Sequence, residues 1–321
     1  MSAGEKLRVV FMGTPEFAVP SLNALCEAGY DVVGVFTQPD RPAGRGNKLT
    51  PCPVKLCALE RGLDVYQFEK VKTTEGVAQL RALKPDVMVT AAFGQILTKE
   101  ILDIPGRGTV NVHASLLPKH RGSAPINWCI IDGDRETGVT LMLTDIGIDT
   151  GDILASRATP IGALETAGAL TERLSVLGAE LLADVLPEYL AGKIIPVKQD
   201  EALSSYEPML KKTMGDIDWT QDAETIANRV RGLNPWPCAD TAIGEGRLKI
   251  WLAQPVKTES DAAPGTVIVS GPRAGLVVKC GVDALELLEI QAPNARRMAA
   301  KAYLMGKKID EGTVLGKEIR A

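Results

Sequence analysis

The first part of the chain alternates between short unbroken apolar runs and segments whose apolar residues recur at helical spacing. Residues 7–12 are apolar apart from Arg8 and stop at Gly13, which predicts a strand buried on both faces. Phe17, Leu22, Leu25 and Cys26 then predict a helix over 15–29. Residues 31–37 read as a second buried strand, 54–61 as a helix stopped by Gly62, and 64–66 as a short strand. A helix at 73–83, strands at 86–91 and 108–112, a helix from 126 to 131 and a strand at 138–143 follow. Valine-rich strands alternating with helices imply a doubly wound, mostly parallel α/β sheet of Rossmann-like type.

The pattern then changes. One long helix is predicted over 164–190, weakened at Gly168 and Gly178 and ended or kinked at Pro187. Residues 195–208 are polar and proline-bearing, and read as an extended linker. Beyond them, short apolar runs at 249–253, 265–269, 276–279 and 285–289 are separated by turn residues, with helices expected at 221–231 and 296–305. That texture predicts a small C-terminal β-barrel of OB-like type. The expected organisation is a catalytic α/β domain over 1–190, a linker over 191–208 and a second domain over 209–321.

Composition narrows the class. The 321 residues are 45% hydrophobic and 24% charged, ordinary for a globular protein. No apolar run is long enough to cross a bilayer, and the polar N-terminus lacks a signal-peptide core, so a cytoplasmic protein without a membrane partner is expected. Six scattered cysteines form no Cys-x-x-Cys pair, which predicts reduced thiols. Cys52 and Cys57 are not completed by a second pair, so no metal site is expected. The net charge of −4 does not announce a polyanion partner. Lys and Arg number 20 against 25 acids in residues 1–206, 16 against 15 in 207–321, and 7 against 3 in 296–321. Any nucleic acid would therefore be met by local patches.

The chemistry concentrates in residues 111–125, which hold both histidines. Asn111 and His113 are two apart at the end of a predicted strand and share one face. An amide donor beside an imidazole suits a carbonyl that is becoming an oxyanion. Asp145, Asp149 and Asp152 lie in a glycine-bearing loop after the 138–143 strand, without the register of a calcium loop. One of these acids can orient the imidazole and favour its protonated form, and spacing alone leaves all three open. Gly13-Thr-Pro-Glu-Phe17 stands where a dinucleotide fold carries Gly-x-Gly-x-x-Gly, and lacks that fingerprint. Arg41, Arg45 and Lys48 lie in a long, basic, glycine-rich loop suited to phosphates or a nucleic-acid end. His120 reads as a surface residue. Trp219 and Trp236, the latter in Asn234-Pro-Trp-Pro237, read as packing plugs.

Together these segments resemble the 10-formyltetrahydrofolate-dependent formyltransferases, and among them the methionyl-tRNA formyltransferase family, over nearly the whole chain. The most specific piece is Ser115-Leu-Leu-Pro-Lys-His-Arg-Gly-Ser-Ala-Pro125, similar to the family's folate-binding signature. The resemblance implies Asn111, His113 and Asp149 as the catalytic residues, the acid being the one in Asp149-Thr-Gly151. It implies that Ser115, Leu116, Leu117 and Pro118 shape the folate pocket. It also implies that 10-formyltetrahydrofolate is the co-substrate, with no metal. The loop carrying Arg41, Arg45 and Lys48 is similar to the family's insertion that meets the tRNA acceptor stem. It is expected to be mobile until tRNA orders it, and Arg45 is the residue carried over for that contact. The implied activity is formylation of the methionine amine on initiator methionyl-tRNA by a monomer. The alternative within the same chemistry is a sugar-nucleotide or other small amine as acceptor.

Overall fold

The computed structural model describes residues 6–43 and 48–316. They form two compact units. One is built from the described residues through Gly122, Thr137–Thr159 and Thr171–Glu207, and the other from Ser123–Glu136, Pro160–Leu170 and residues from Pro208 onward.

The first unit is organised on a seven-stranded sheet among the described residues. Its strands are β1 (Arg8–Gly13), β2 (Asp31–Thr37), β3 (Val65–Gln67), β4 (Val87–Ala91), β5 (Thr109–His113), β6 (Glu136–Leu143) and β7 (Ile153–Pro160). The order is β7-β6-β5-β4-β1-β2-β3. The pairs β1–β2, β2–β3, β1–β4 and β4–β5 are parallel, and β6 runs antiparallel to β5. Every residue of β4 and all but the first of β1 are buried, as the unbroken apolar runs predict. The chain leaves β1 toward β2 and β3, then returns to β4 on the other side. That reversal opens a crevice at the carboxyl ends of the strands.

The predicted helix over 15–29 is a short 3-10 turn, Glu16–Ala18, followed by an α-helix at Val19–Glu27. The predicted long helix forms at Ala167–Leu190 and runs through Gly178 and Pro187 without ending. A Cβ on Gly178 would lie 2.8 Å from Val112 Cγ1 and 3.4 Å from Val139 Cγ1, so the missing side chain lets the helix lie against β5 and β6. Buried Leu174, Leu181, Leu182 and Leu186 supply an apolar face whose packing outweighs a glycine cost of about 1 kcal/mol. The basic loop is a two-stranded antiparallel hairpin in its described part, with Arg41 opposite Thr50 and Pro42 opposite Leu49.

The second unit holds an antiparallel sheet of β8 (Ala239–Ile243), β9 (Gly246–Val256), β10 (Val267–Gly271), β11 (Gly275–Lys279) and β12 (Ala284–Gln291), ordered β8-β9-β12-β11-β10. A short β13 (Met298–Ala299) adds to β12. A helix at Ala223–Gly232 starts on Asp222, whose side chain accepts from Thr225 N at 2.9 Å. Ile226 and Val230 of that helix pack with Leu248, Ile250, Val278 and Leu285 of the sheet. Trp219 joins the same core and donates to Thr241 Oγ1 at 2.9 Å, as a plug should. Trp236 does not. It is 56% exposed, and Asn234, 5% exposed, is the buried anchor of the turn through a bond to Trp251 O at 2.6 Å. A buried amide must find a partner, whereas an indole on a turn between two prolines can stay in solvent.

Candidate active site

Asn111 and His113 sit at the carboxyl end of β5 on one face, as the alternation of a strand requires. The parallel register sets Asn111 beside Thr90 of β4. The Thr90 hydroxyl donates to Asn111 Oδ1 at 2.8 Å. With Oδ1 accepting from Thr90, Nδ2 is the donor end of the amide.

The His113 ring is 6% exposed, and its Nε2 lies 3.0 Å from the carbonyl of His120. A carbonyl only accepts, so Nε2 carries a proton. Nδ1 faces Asp149, 3.6 Å from Oδ1. That separation is longer than a hydrogen bond and short enough for strong attraction once Nδ1 is protonated. The structure therefore brings together the three residues that the sequence resemblance singles out. In the neutral ring the unprotonated nitrogen is then Nδ1, the one beside Asp149.

Asp149 is fixed from two sides. Its Oδ2 accepts from Gly122 N at 2.8 Å, while its carbonyl and that of Gly151 both accept from Gln199 Nε2 at 2.8 Å. Its backbone is left-handed, with φ 53°. Such a conformation costs of order 1 kcal/mol or more outside glycine and persists where surrounding bonds determine it. Gly122 has φ 106°, and a Cβ there would lie 2.6 Å from Glu207 O, so only glycine lets this amide reach the carboxylate. Asp145 instead accepts from Gly147 N at 3.0 Å and Thr150 Oγ1 at 2.7 Å, which shapes its own turn.

The loop 115–118 is held from within. Thr140 of β6 is fully buried, and its hydroxyl donates to Ser115 O at 2.7 Å and accepts from Leu117 N at 3.1 Å. The Ser115 hydroxyl donates to Lys119 O at 2.7 Å, so it closes the turn. Leu117 is 8% exposed, and Leu116 and Pro118 are half-buried.

His120 differs from its surface reading. It is 6% exposed, its Nδ1 lies 2.9 Å from Glu207 Oε1, and its N donates to Ser205 Oγ at 2.8 Å. Arg121 is wholly buried and makes a bidentate pair with Glu201 at 2.8 and 2.9 Å. The Glu201 bonds raise the Arg121 pKa still further above its ordinary value, and the Arg121 bonds hold the Glu201 carboxyl below its own. Sequence reasoning missed Thr90, Thr140, Gln199 and Glu207. The one available signal was Arg121, an arginine inside a tight turn with no acid beside it in sequence.

Of the basic residues, Arg41 is exposed and pairs with Glu69 at 2.6 Å, and Lys48 is exposed. Arg45 lies outside the described residues. No helix among the described residues is long and apolar enough to cross a membrane.

With this geometry in place, comparison with known proteins gives a consistent result. The formyl transferase family profile matches residues 6–186, and that of the formyl transferase C-terminal domain matches 209–308. The methionyl-tRNA formyltransferase of Citrifermentans bemidjiense is 50% identical over 312 residues, 97% of each chain. That of Caldanaerobacter subterraneus is 50% identical over 310 residues, 96% of this chain and 100% of its own. Among solved structures, the N-formyltransferase of Helicobacter canadensis in complex with folinic acid and dTDP-3-aminofucose superposes with a TM-score of 0.66. It shares 20% identity and covers 91% of this chain and 100% of its own, a likeness of fold.

Proposed function

This chain belongs to the formyl transferase family, and from that membership we propose that it transfers the formyl group of 10-formyltetrahydrofolate to the α-amine of methionine on initiator methionyl-tRNA. The observation that carries the reading is the convergence of Asn111, His113 and Asp149 at one strand end, in a chain matched almost end to end by methionyl-tRNA formyltransferases.

In the proposed reaction, the amine lone pair attacks the formyl carbon and a new C–N bond forms. The carbonyl π pair moves to oxygen, giving a tetrahedral oxyanion. Asn111 Nδ2 donates to that oxygen, because its Oδ1 is already held by Thr90. His113 acts through Nδ1, since Nε2 donates to the His120 carbonyl. Asp149 stabilises the imidazolium and helps take the proton that the attacking amine releases. Collapse of the intermediate re-forms the carbonyl and breaks the bond to N10, which leaves with the proton that the amine gave up. No side chain need form a covalent intermediate.

Ser115, Leu116, Leu117 and Pro118 wall the folate site, chiefly through backbone that Thr140 holds in place. No metal takes part. Residues 1–190 carry the reacting groups, 191–208 join the parts and brace Asp149 through Gln199, and 209–321 contact tRNA. Arg41, Arg45 and Lys48 meet acceptor-stem phosphates. The exposed Arg41–Glu69 pair is weak enough to exchange for one, because such pairs are worth about 0–1 kcal/mol. The enzyme works as a cytoplasmic monomer.

The test is one formyl-transfer assay offering methionylated initiator tRNA and, separately, an amino-sugar nucleotide. Transfer to the tRNA alone is expected. Transfer to the sugar with none to the tRNA overturns the choice of acceptor.

A further inference from the structure

We infer that Gln199, which lies between the two family-matched regions at 6–186 and 209–308, is a positioning residue for Asp149, and that Arg121 locks it in that role. The inference rests on the formyl-transfer reading of Asp149 given above.

The Gln199 side-chain amide is saturated, and its orientation is fixed by chemistry. Its Oε1 faces only donors, Arg121 Nε at 3.0 Å and Nη2 at 2.8 Å. Its Nε2 faces only acceptors, the carbonyls of Asp149 and Gly151, each at 2.8 Å. Turning the amide over would set donors against the guanidinium and an acceptor against two carbonyls. Gln199 thus ties both ends of the three-residue turn that holds Asp149 in its left-handed conformation.

Arg121 makes the amide rigid. Its guanidinium is wholly buried, is gripped by both Glu201 oxygens, donates to Tyr206 OH at 2.7 Å and lies 5.3 Å from the centre of the Tyr206 ring. Its backbone N donates to Ser205 O at 2.9 Å. The next residue, Gly122, donates its N–H to the Asp149 carboxylate and bridges Glu207 in parallel register. Two adjacent residues therefore grasp the acid, Gly122 directly at its carboxylate and Arg121 at its backbone through Gln199. The segment 199–207 fastens them both, so it is part of the active-site support.

A residue acting through Asp149 has a recognisable signature. Gln199→Ala should lower kcat, by up to about 10²-fold where the acid drifts by an ångström, and leave KM for both substrates unchanged. In an Asp149→Ala background the same substitution should cause no further loss, because the group it positions is gone. Gln199→Glu keeps the volume and the Arg121 pairing but turns an oxygen toward two carbonyls. It should reproduce the kcat loss and the non-additivity while melting close to the parent. An undiminished kcat, a change in KM alone, or equal losses with and without Asp149 overturns the inference. The parent protein is assayed first. Absence of transfer there overturns the activity itself, and the inference with it.

Discussion

Thr140→Val probes the support of the donor loop with almost no change of shape. Valine replaces a hydroxyl by a methyl at a position that is fully buried. Two backbone groups lose their partner, the Ser115 carbonyl, bonded at 2.7 Å, and the Leu117 amide, bonded at 3.1 Å. A buried polar group left without a partner costs about 1–3 kcal/mol, and a carbonyl tolerates the loss better than an N–H. The sum is about 2–4 kcal/mol. For a unit of this size each kcal/mol lowers the midpoint by about 2–4 °C, so a fall of roughly 4–16 °C is expected. The comparison is Thr140→Ser, which keeps both bonds and deletes one buried methyl at about 1 kcal/mol. Urea denaturation of the three proteins gives the stabilities, and steady-state kinetics give KM for the formyl donor. KM should rise in the valine variant and stay near the parent in the serine one. A valine variant as stable as the serine variant refutes the reasoning.

Asn111→Ala and Asp149→Ala should each lower kcat, the former by about 10²–10³-fold, with tRNA binding retained in a filter assay; full turnover in either removes its role. Arg45→Ala should weaken formylation of tRNA while donor binding stays constant, and an unaffected rate removes Arg45 from tRNA recognition. Burial pushes the Cys280 thiol up to about 12 and the Cys238 thiol up to about 11, from an ordinary 9.0. The unfolded chain then loses these protons before the folded one, so their contribution is intact below pH 9 and is lost as pH rises toward the folded values. Each thiol adds up to about 1.4 kcal/mol per pH unit to that decline. Cys280→Ala should flatten the stability profile between pH 9 and 10.5, and an unchanged slope contradicts the assignment. Asp222→Ala removes the cap of the Ala223–Gly232 helix and should cost about 1 kcal/mol, read by urea denaturation at pH 7. Bonds from Thr225 hold the Asp222 carboxyl below its ordinary value. The gap from the parent should therefore shrink as pH falls through the carboxylate range, and a constant gap speaks against it.

The amino-acid order alone made the parallel sheet legible, because strands buried on both faces must be apolar throughout and β1, β2 and β4 are nearly so. It also made the Asn111–His113 pair legible, since a period of two puts both on one face wherever the strand lies. Strand β7 escaped notice because its polar alternation, Ile-Leu-Ala-Ser-Arg-Ala-Thr-Pro, carries no continuous apolar signal. Local pattern left three acids open after β6. Resemblance pointed to Asp149, and the folded chain places its carboxylate against the ring of His113. The roles of Thr90, Thr140 and Gln199 were decided only by tertiary structure. Each acts through a hydrogen bond to a residue at least 21 positions away, and no local pattern encodes such a partner. Periodicity reports which face a residue takes on its own element; which polar groups meet across elements is set by register and packing, and those exist only in the folded chain.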